Sequence, residues 1–264
     1  MALLFDVKDK IATLCFNRPE AMNAMDPETY ADLSKAWIEV RDNPEIWVAI
    51  ITGAGDRAFT AGADLKASAA VARGDGPQES NTWRFWQTQG GEILNRGLEV
   101  WKPVIAAVNG YCLGGGMTLL YATDIRIAAE HASFGLSEVK RGILPGNGGT
   151  QRTVRQLPYP LAMELLLYGD RVSAQEAYRI GLINKVVPKE ELMPTAIEYA
   201  KRLCENPPLA VRAIKELAVR SQYMHIVDGL RLEAAVSRIL GTTDDAKEGR
   251  IAFAEKRPAQ FRGR

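Results

Sequence analysis

The sequence predicts an α/β core followed by an all-helical C-terminal region, and three observations carry that prediction. Short β-branched runs, of the kind found in strands covered on both faces, recur at 46–53, 103–110 and 124–129. Stretches with helical spacing of apolar residues alternate with such runs, as crossover connections require. Beyond about residue 190 helical stripes recur without further strand-like segments. Residues 1–190 therefore read as the α/β core and 191–264 as a helical region, within a 264-residue chain long enough for one to two domains.

Each element has a local reason. "IATLCF" at 11–16 reads as a strand and "NRPEAMNAMD" at 17–26 as a turn region. Asp26 and Pro27 supply an N-cap and a first-turn proline, and Tyr30, Leu33, Trp37 and Val40 make one apolar stripe after them. "IWVAIITG" (46–53) is a strand signature that "PVIAAVNG" and "DIRIAA" repeat, with a helix from about 116 between those two. Residues 66–82, "KASAAVARGDGPQESNT", are small and polar and are expected to form a mobile loop. Ser173 and Glu176 have capping-box spacing, Gly181 stops the helix they open, and "INKVV" returns as a strand. Leu192, Ala196, Tyr199 and Leu203 then form a helical stripe that "NPP" breaks. Helices are expected to continue to about 256, the last opened by Thr243 with Asp244 and Asp245.

Composition narrows the function. The chain has 33 basic and 32 acidic residues and a formal net charge of +1, which argues against nucleic acid or an anionic membrane as the main partner. No apolar run approaches the roughly 20 residues of a membrane span. The N-terminus has neither a basic leader nor a long apolar segment with a cleavage site, so no secretory signal is read there. Cys15, Cys112 and Cys204 are widely spaced in apolar segments and read as reduced thiols of a cytoplasmic protein. Cys112, beside a glycine run, is read as a buried thiol rather than a nucleophile. His131 and His225 are the only histidines and have no ligand spacing, so no metal site is expected.

The glycine run is Gly114, Gly115 and Gly116, between two apolar segments. A phosphate loop is ruled out, because Met117 and Thr118 stand where a lysine and its neighbour belong, and the dinucleotide spacing fails as well. Two readings stay open. The glycines allow tight strand-to-helix packing, or they leave backbone N–H groups at a helix start open to a carbonyl oxygen. "AFTAGADL" at 58–65, with Ala61, Gly62 and Ala63 ahead of Asp64 and Leu65, is the candidate for a second such donor; a plain tight turn is its alternative.

"DRAFTAGADL", "KPVIAAVNGYCLGGG", "ASFGLSEVKRGILPGNGGTQR", "GDRVSAQEAYRIGLINKVV" and "TTDDAKEGRIAFAEKR" occur in order over nearly the whole chain. Together they closely resemble the enoyl-CoA hydratase/isomerase, or crotonase, superfamily. The resemblance implies a spiral of ββα units with C-terminal helices that build a homotrimer or a dimer of trimers. It also implies an acyl-CoA thioester substrate, with coenzyme A part of the substrate and no further cofactor. Carried over by position, the oxyanion donors are the N–H groups of Ala63 and Gly115, flanked by Ala61, Gly62, Asp64, Leu65 and Gly114. Ala21 and Met22 fall near the coenzyme, and Phe253 and Lys256 near its nucleotide in a neighbouring subunit.

In the family's two-glutamate hydratases one glutamate lies two residues beyond the glycines and another twenty residues further on. The second corresponds to Glu138, the expected acid/base; the first is replaced by Thr118. A threonine hydroxyl can hold a water or a substrate oxygen but cannot serve as a carboxylate base near neutrality. Hydration by two glutamates and isomerisation by one are therefore both carried forward, with the "LPGNGGTQR" segment leaning toward hydratases. The loop "GILPGNGG" has no acid, unlike the family's dehalogenases, and Gly146 stands where dienoyl-CoA isomerases have an aspartate. Single-glutamate hydrolases, carbon–carbon bond enzymes and a non-catalytic scaffold remain alternatives, the last opposed by the joint presence of Glu138 and both loops.

Overall fold

The structure, a computed structural model, describes residues 1–64 and 93–264. Leu65 and the loop expected at 66–82 lie outside the described residues. The larger of two sheets has the order β1 (Leu3–Lys8), β2 (Ile11–Phe16), β3 (Val48–Gly53), β5 (Val104–Val108), β7 (Ile125–Ala129), β10 (Lys185–Val187). The smaller runs β4 (Ala58–Thr60), β6 (Tyr111–Leu113), β8 (Ser133–Gly135), β9 (Arg171–Ser173). Apart from β1–β2 and β8–β9, neighbouring strands are parallel. Because β3, β5 and β7 lead into β4, β6 and β8, the chain alternates between the sheets as it advances. This is the ββα spiral that the resemblance implied.

Helices follow the strands: α1 (Pro27–Asp42), α2 (Gly115–Leu120), α3 (Gly149–Gln156), α4 (Tyr159–Tyr168) and α5 (Ala174–Arg179). After β10 come α6 (Leu192–Cys204), α7 (Pro208–Ser221), α8 (Ile226–Gly241) and α9 (Asp244–Glu255), with no strand among the described residues. The central strands of the larger sheet are buried on both faces, which is why they read as unbroken apolar runs. Val48, Ile50, Ile105 and Ile127 pack with Leu192, Ala196 and Ala200 of α6. Their neighbours Ala49, Ile51, Ala106 and Ala128 face the other way, toward Leu33, Trp37 and Val40 of α1 and toward Phe59 and Phe134 of the smaller sheet. Burying each Leu or Val of that stripe is worth about 1.5–3 kcal/mol.

The caps follow the sequence with one exception. Asp26 accepts the Thr29 N–H at 2.8 Å, and Thr243 accepts the Ala246 N–H at 3.1 Å. Ser173 caps α5 through the Glu176 N–H at 3.2 Å, but the box does not close. The Glu176 carboxylate instead grips Arg179 at 2.6 and 2.7 Å, a charge-assisted fork that outcompetes a neutral backbone donor. The N-terminal strand β1 and all four strands of the smaller sheet had no signal in the sequence. The small strands are three residues long, too short for alternation to show.

Candidate active site

The two glycine- and alanine-rich turns leave the same side of the smaller sheet, because β4 and β6 are parallel neighbours. Residues 61–64 are held by a bridge to the turn before α1. Met25 donates its N–H to the Gly62 carbonyl at 2.8 Å and accepts the Asp64 N–H at 3.0 Å. Those two bonds flank Ala63, so backbone alternation turns the Ala63 N–H away from Met25. Gly115 is the first residue of α2, and its N–H has no acceptor inside the helix. Neither N–H donates to another acceptor among the described residues.

Close approach of the two turns explains the glycines. A methyl on Gly62 would stand 2.7 Å from the Gly115 nitrogen, whereas one on Gly115 would first meet Met25 Cε at 2.9 Å. Gly114 supplies the turn into α2 with φ +51°, a torsion that side chains rarely accept. The helix begins one residue earlier than expected.

Glu138 lies on a 3-10 turn, Ser137–Arg141, that follows β8. A methyl on Gly114 would come within 3.3 Å of its Oε1, so the carboxyl hangs over the start of α2. Its Oε2 is buried with no hydrogen-bond partner. Burial raises the Glu138 pKa above the ordinary glutamate value, opposed by its own backbone and by the Arg141 cation. A cavity of about 340 Å³ is bordered by Ala63, Gly115, Glu138, Arg141 and Ile143 among others. Ala61, Asp64 and Gly114 border it too, with Gly62 directly behind. Asp64 is the other acid among the described lining residues, and its Oδ2 lies 3.5 Å from the Arg18 guanidinium.

The remaining expected residues fall elsewhere. Ala21 and Met22 form the turn beside the cavity, where the Met22 carbonyl accepts the Ala61 N–H at 3.0 Å. Thr118 is buried and does not border the cavity: its hydroxyl donates to the Gly115 carbonyl at 2.9 Å and accepts from Asn95 Nδ2 at 3.0 Å. Asn147, just after Gly146, accepts from Arg96 Nε through its side-chain oxygen at 2.8 Å. Phe253 and Lys256 lie on and just after α9, outside the described cavity wall, with Phe253 88% exposed. Cys112 is fully buried, and burial pushes its thiol pKa far up, which suits a packing role. Sequence reasoning missed Arg141, Ile143 and Asn95. The first two sit in an irregular turn, and Asn95 becomes informative only through its hydrogen bond.

Two unpaired amide donors beside a carboxyl with a raised pKa can polarise a carbonyl and move a proton at the adjoining carbon. That arrangement suits chemistry that passes through an enolate. The sequence profile of the enoyl-CoA hydratase/isomerase family matches residues 6–264, and the chain belongs to that family. It is thereby an enzyme of acyl-CoA thioesters. It is 40% identical over 263 residues to an (E)-benzylidenesuccinyl-CoA hydratase of Thauera aromatica, covering 100% of both chains. It is 42% identical to a crotonyl-CoA hydratase of Syntrophomonas wolfei, covering 98% of this chain and 97% of that one. An enoyl-CoA hydratase structure from Mycobacterium tuberculosis superimposes with a TM-score of 0.89 at 35% identity, covering 100% and 99% of the two chains.

Proposed function

We propose that the protein catalyses reversible hydration of an enoyl-CoA, with Glu138 as its acid/base. The observation that carries this reading is that the Ala63 and Gly115 N–H groups and Glu138 border one cavity. The thioester oxygen accepts from both N–H groups, each worth on the order of 3 kcal/mol of barrier as the enolate forms. Water attacks the β-carbon and gives a proton to Glu138, and the α-carbon receives one in return, so the carboxyl ends as it began. The atoms balance without any redox cofactor. Named relatives that are hydratases support this direction.

Isomerisation is the second reading, favoured by one observation. The Thr118 hydroxyl is tied back to Gly115, and Asp64 faces Arg18, so no second carboxylate among the described residues is offered to a water. Incubation with crotonyl-CoA and with a 3-enoyl-CoA in heavy water separates the two. Hydration yields a 3-hydroxyacyl-CoA carrying one α-deuterium; isomerisation moves the double bond without a gain of water. Inertness toward both would sink both readings.

A homotrimer or a dimer of trimers is part of the same proposal. It is supported by large apolar side chains left exposed on α4, α8 and α9, including Tyr168, Leu230, Ile239 and Phe253. Phe253 and Lys256 would then reach a neighbour's nucleotide pocket. A monomer in sedimentation at micromolar concentration would refute it. A cytoplasmic location rests on three free thiols, and the near-neutral charge supports neither nucleic acid nor membrane as partner.

A further inference from the structure

We infer that Thr118 and Asn95 are a positioning pair that aims the oxyanion donor, so that the place of a second carboxylate serves alignment instead of proton transfer. This rests on the proposed role of the Gly115 N–H.

That N–H belongs to the peptide joining Gly114 to Gly115. The carbonyl of the same peptide accepts the Thr118 backbone N–H at 3.1 Å. The next carbonyl, that of Gly115, accepts the Thr118 hydroxyl at 2.9 Å. Thr118 therefore grips the peptides on both sides of the Gly115 α-carbon, where glycine leaves the backbone torsions freer than another residue would. This helix of six residues is opened by a glycine and has no capping side chain of its own.

The hydroxyl has one proton, and Asn95 decides where it points. Asn95 Nδ2 donates to Thr118 Oγ1 at 3.0 Å, which leaves the hydroxyl proton free to go only to Gly115. The Asn95 backbone is held: its main-chain carbonyl accepts from Arg152 at 3.0 Å, and the same guanidinium nitrogen holds the Asn147 main-chain carbonyl at 3.1 Å, while Asn95 Oδ1 is buried without a partner among the described residues. Both residues are buried, Thr118 at 1% and Asn95 at 5% exposure, so water does not substitute for the lost bonds. A methyl on Gly149 would lie 3.0 Å from Thr118 Cγ2, so the threonine is also braced from behind.

The test uses acetoacetyl-CoA, whose enolate absorbs in the near ultraviolet, bound to the full-length protein. Thr118→Val keeps the shape and removes the hydroxyl; Thr118→Ser keeps the hydroxyl; Asn95→Asp replaces the donor by an acceptor and draws the hydroxyl proton away from Gly115. Thr118→Val and Asn95→Asp should each reduce the enolate-to-keto ratio of the bound ligand about 10-fold at fixed pH, and kcat on crotonyl-CoA by a similar factor with KM little changed. Thr118→Ser should restore both to within about 2-fold. Valine and aspartate variants that lose thermal stability yet keep the wild-type enolate ratio would overturn the positioning role and leave the oxyanion site standing. A wild-type protein that binds acetoacetyl-CoA without enriching its enolate would overturn both. If Thr118→Val does not fold, Asn95→Asp decides alone.

Discussion

Glu138→Gln is the most informative single change. Glu138 Oε2 is buried without a partner, while Oε1 faces the start of α2. The amide can therefore place its oxygen in the buried position and turn its NH2 toward the cavity, so the variant keeps the fold. Proton transfer is lost, and turnover should fall by roughly 10²–10⁴-fold, or about 3–5 kcal/mol of barrier. The affinity for a saturated acyl-CoA should hold, because the thioester rests on backbone donors. Stability supplies a second readout. Burial raises the folded-state pKa of Glu138, so the folded protein holds this proton more tightly than the unfolded chain. The resulting stabilisation is present at low pH and is lost as pH rises through the folded-state value. Glutamine carries no such loss, so the variant's thermal midpoint should gain on wild type as pH rises above the ordinary glutamate range. Turnover by deuterium incorporation and melting from pH 4 to pH 8, on the order of the titration window, measure both. Full activity in the glutamine variant would remove Glu138 from the mechanism; an unchanged melting difference across the window would remove the desolvation argument.

Arg141→Leu deletes the cation that holds the Glu138 pKa down, so the acid limb of the kcat/KM profile should move to higher pH, less so in high salt; a limb that stays put or moves down contradicts the assignment. Gly116→Ala puts a methyl 2.8 Å from the Thr60 carbonyl oxygen, where α2 meets β4, and should cost about 1–3 kcal/mol in urea unfolding. Lys102 is buried with its ammonium donating to the Asn43 carbonyl, and burial brings its pKa down to about 8 from an ordinary 10.5. The unfolded chain therefore binds more protons between those two values, and wild-type stability should rise with pH across that window while Lys102→Met shows no such rise. A flat wild-type curve would count against it.

The central strands of the larger sheet were legible in the sequence because they are buried on both faces, whereas the largely exposed edge strand β1 was not. The apolar runs around Ile50, Ile105 and Ile127 leave no polar alternation to mislead the reading. The caps at Asp26 and Thr243 were legible because each acts within three residues of itself. What stayed hidden depended on partners far along the chain. The smaller sheet joins Ala58, Tyr111, Ser133 and Arg171, and none of its strands is long enough to show a period. Gly62 has no room for a side chain because the turn at 113–115, distant in the sequence, stands 2.7 Å from where its methyl would be. A glycine's cause can be long-range while its sequence signal is local.

Thr118 shows the same limit at the site itself. Position along the chain marks it as the seat of a carboxylate, and composition alone suggests a hydroxyl offered to water or substrate. The hydrogen bonds give it a different task, since both its proton and one lone pair are spent inside the protein, on Gly115 and Asn95. With that hydroxyl turned inward and Asp64 facing Arg18, Glu138 is the carboxylate among the described residues that the proposed reaction has for proton transfer at the substrate. A single carboxyl can still exchange one proton for another across a double bond, provided the enolate is held long enough. The chemistry then depends more heavily on how well the Ala63 and Gly115 donors are aimed, and a buried threonine that fixes the Gly115 peptides contributes to that aim.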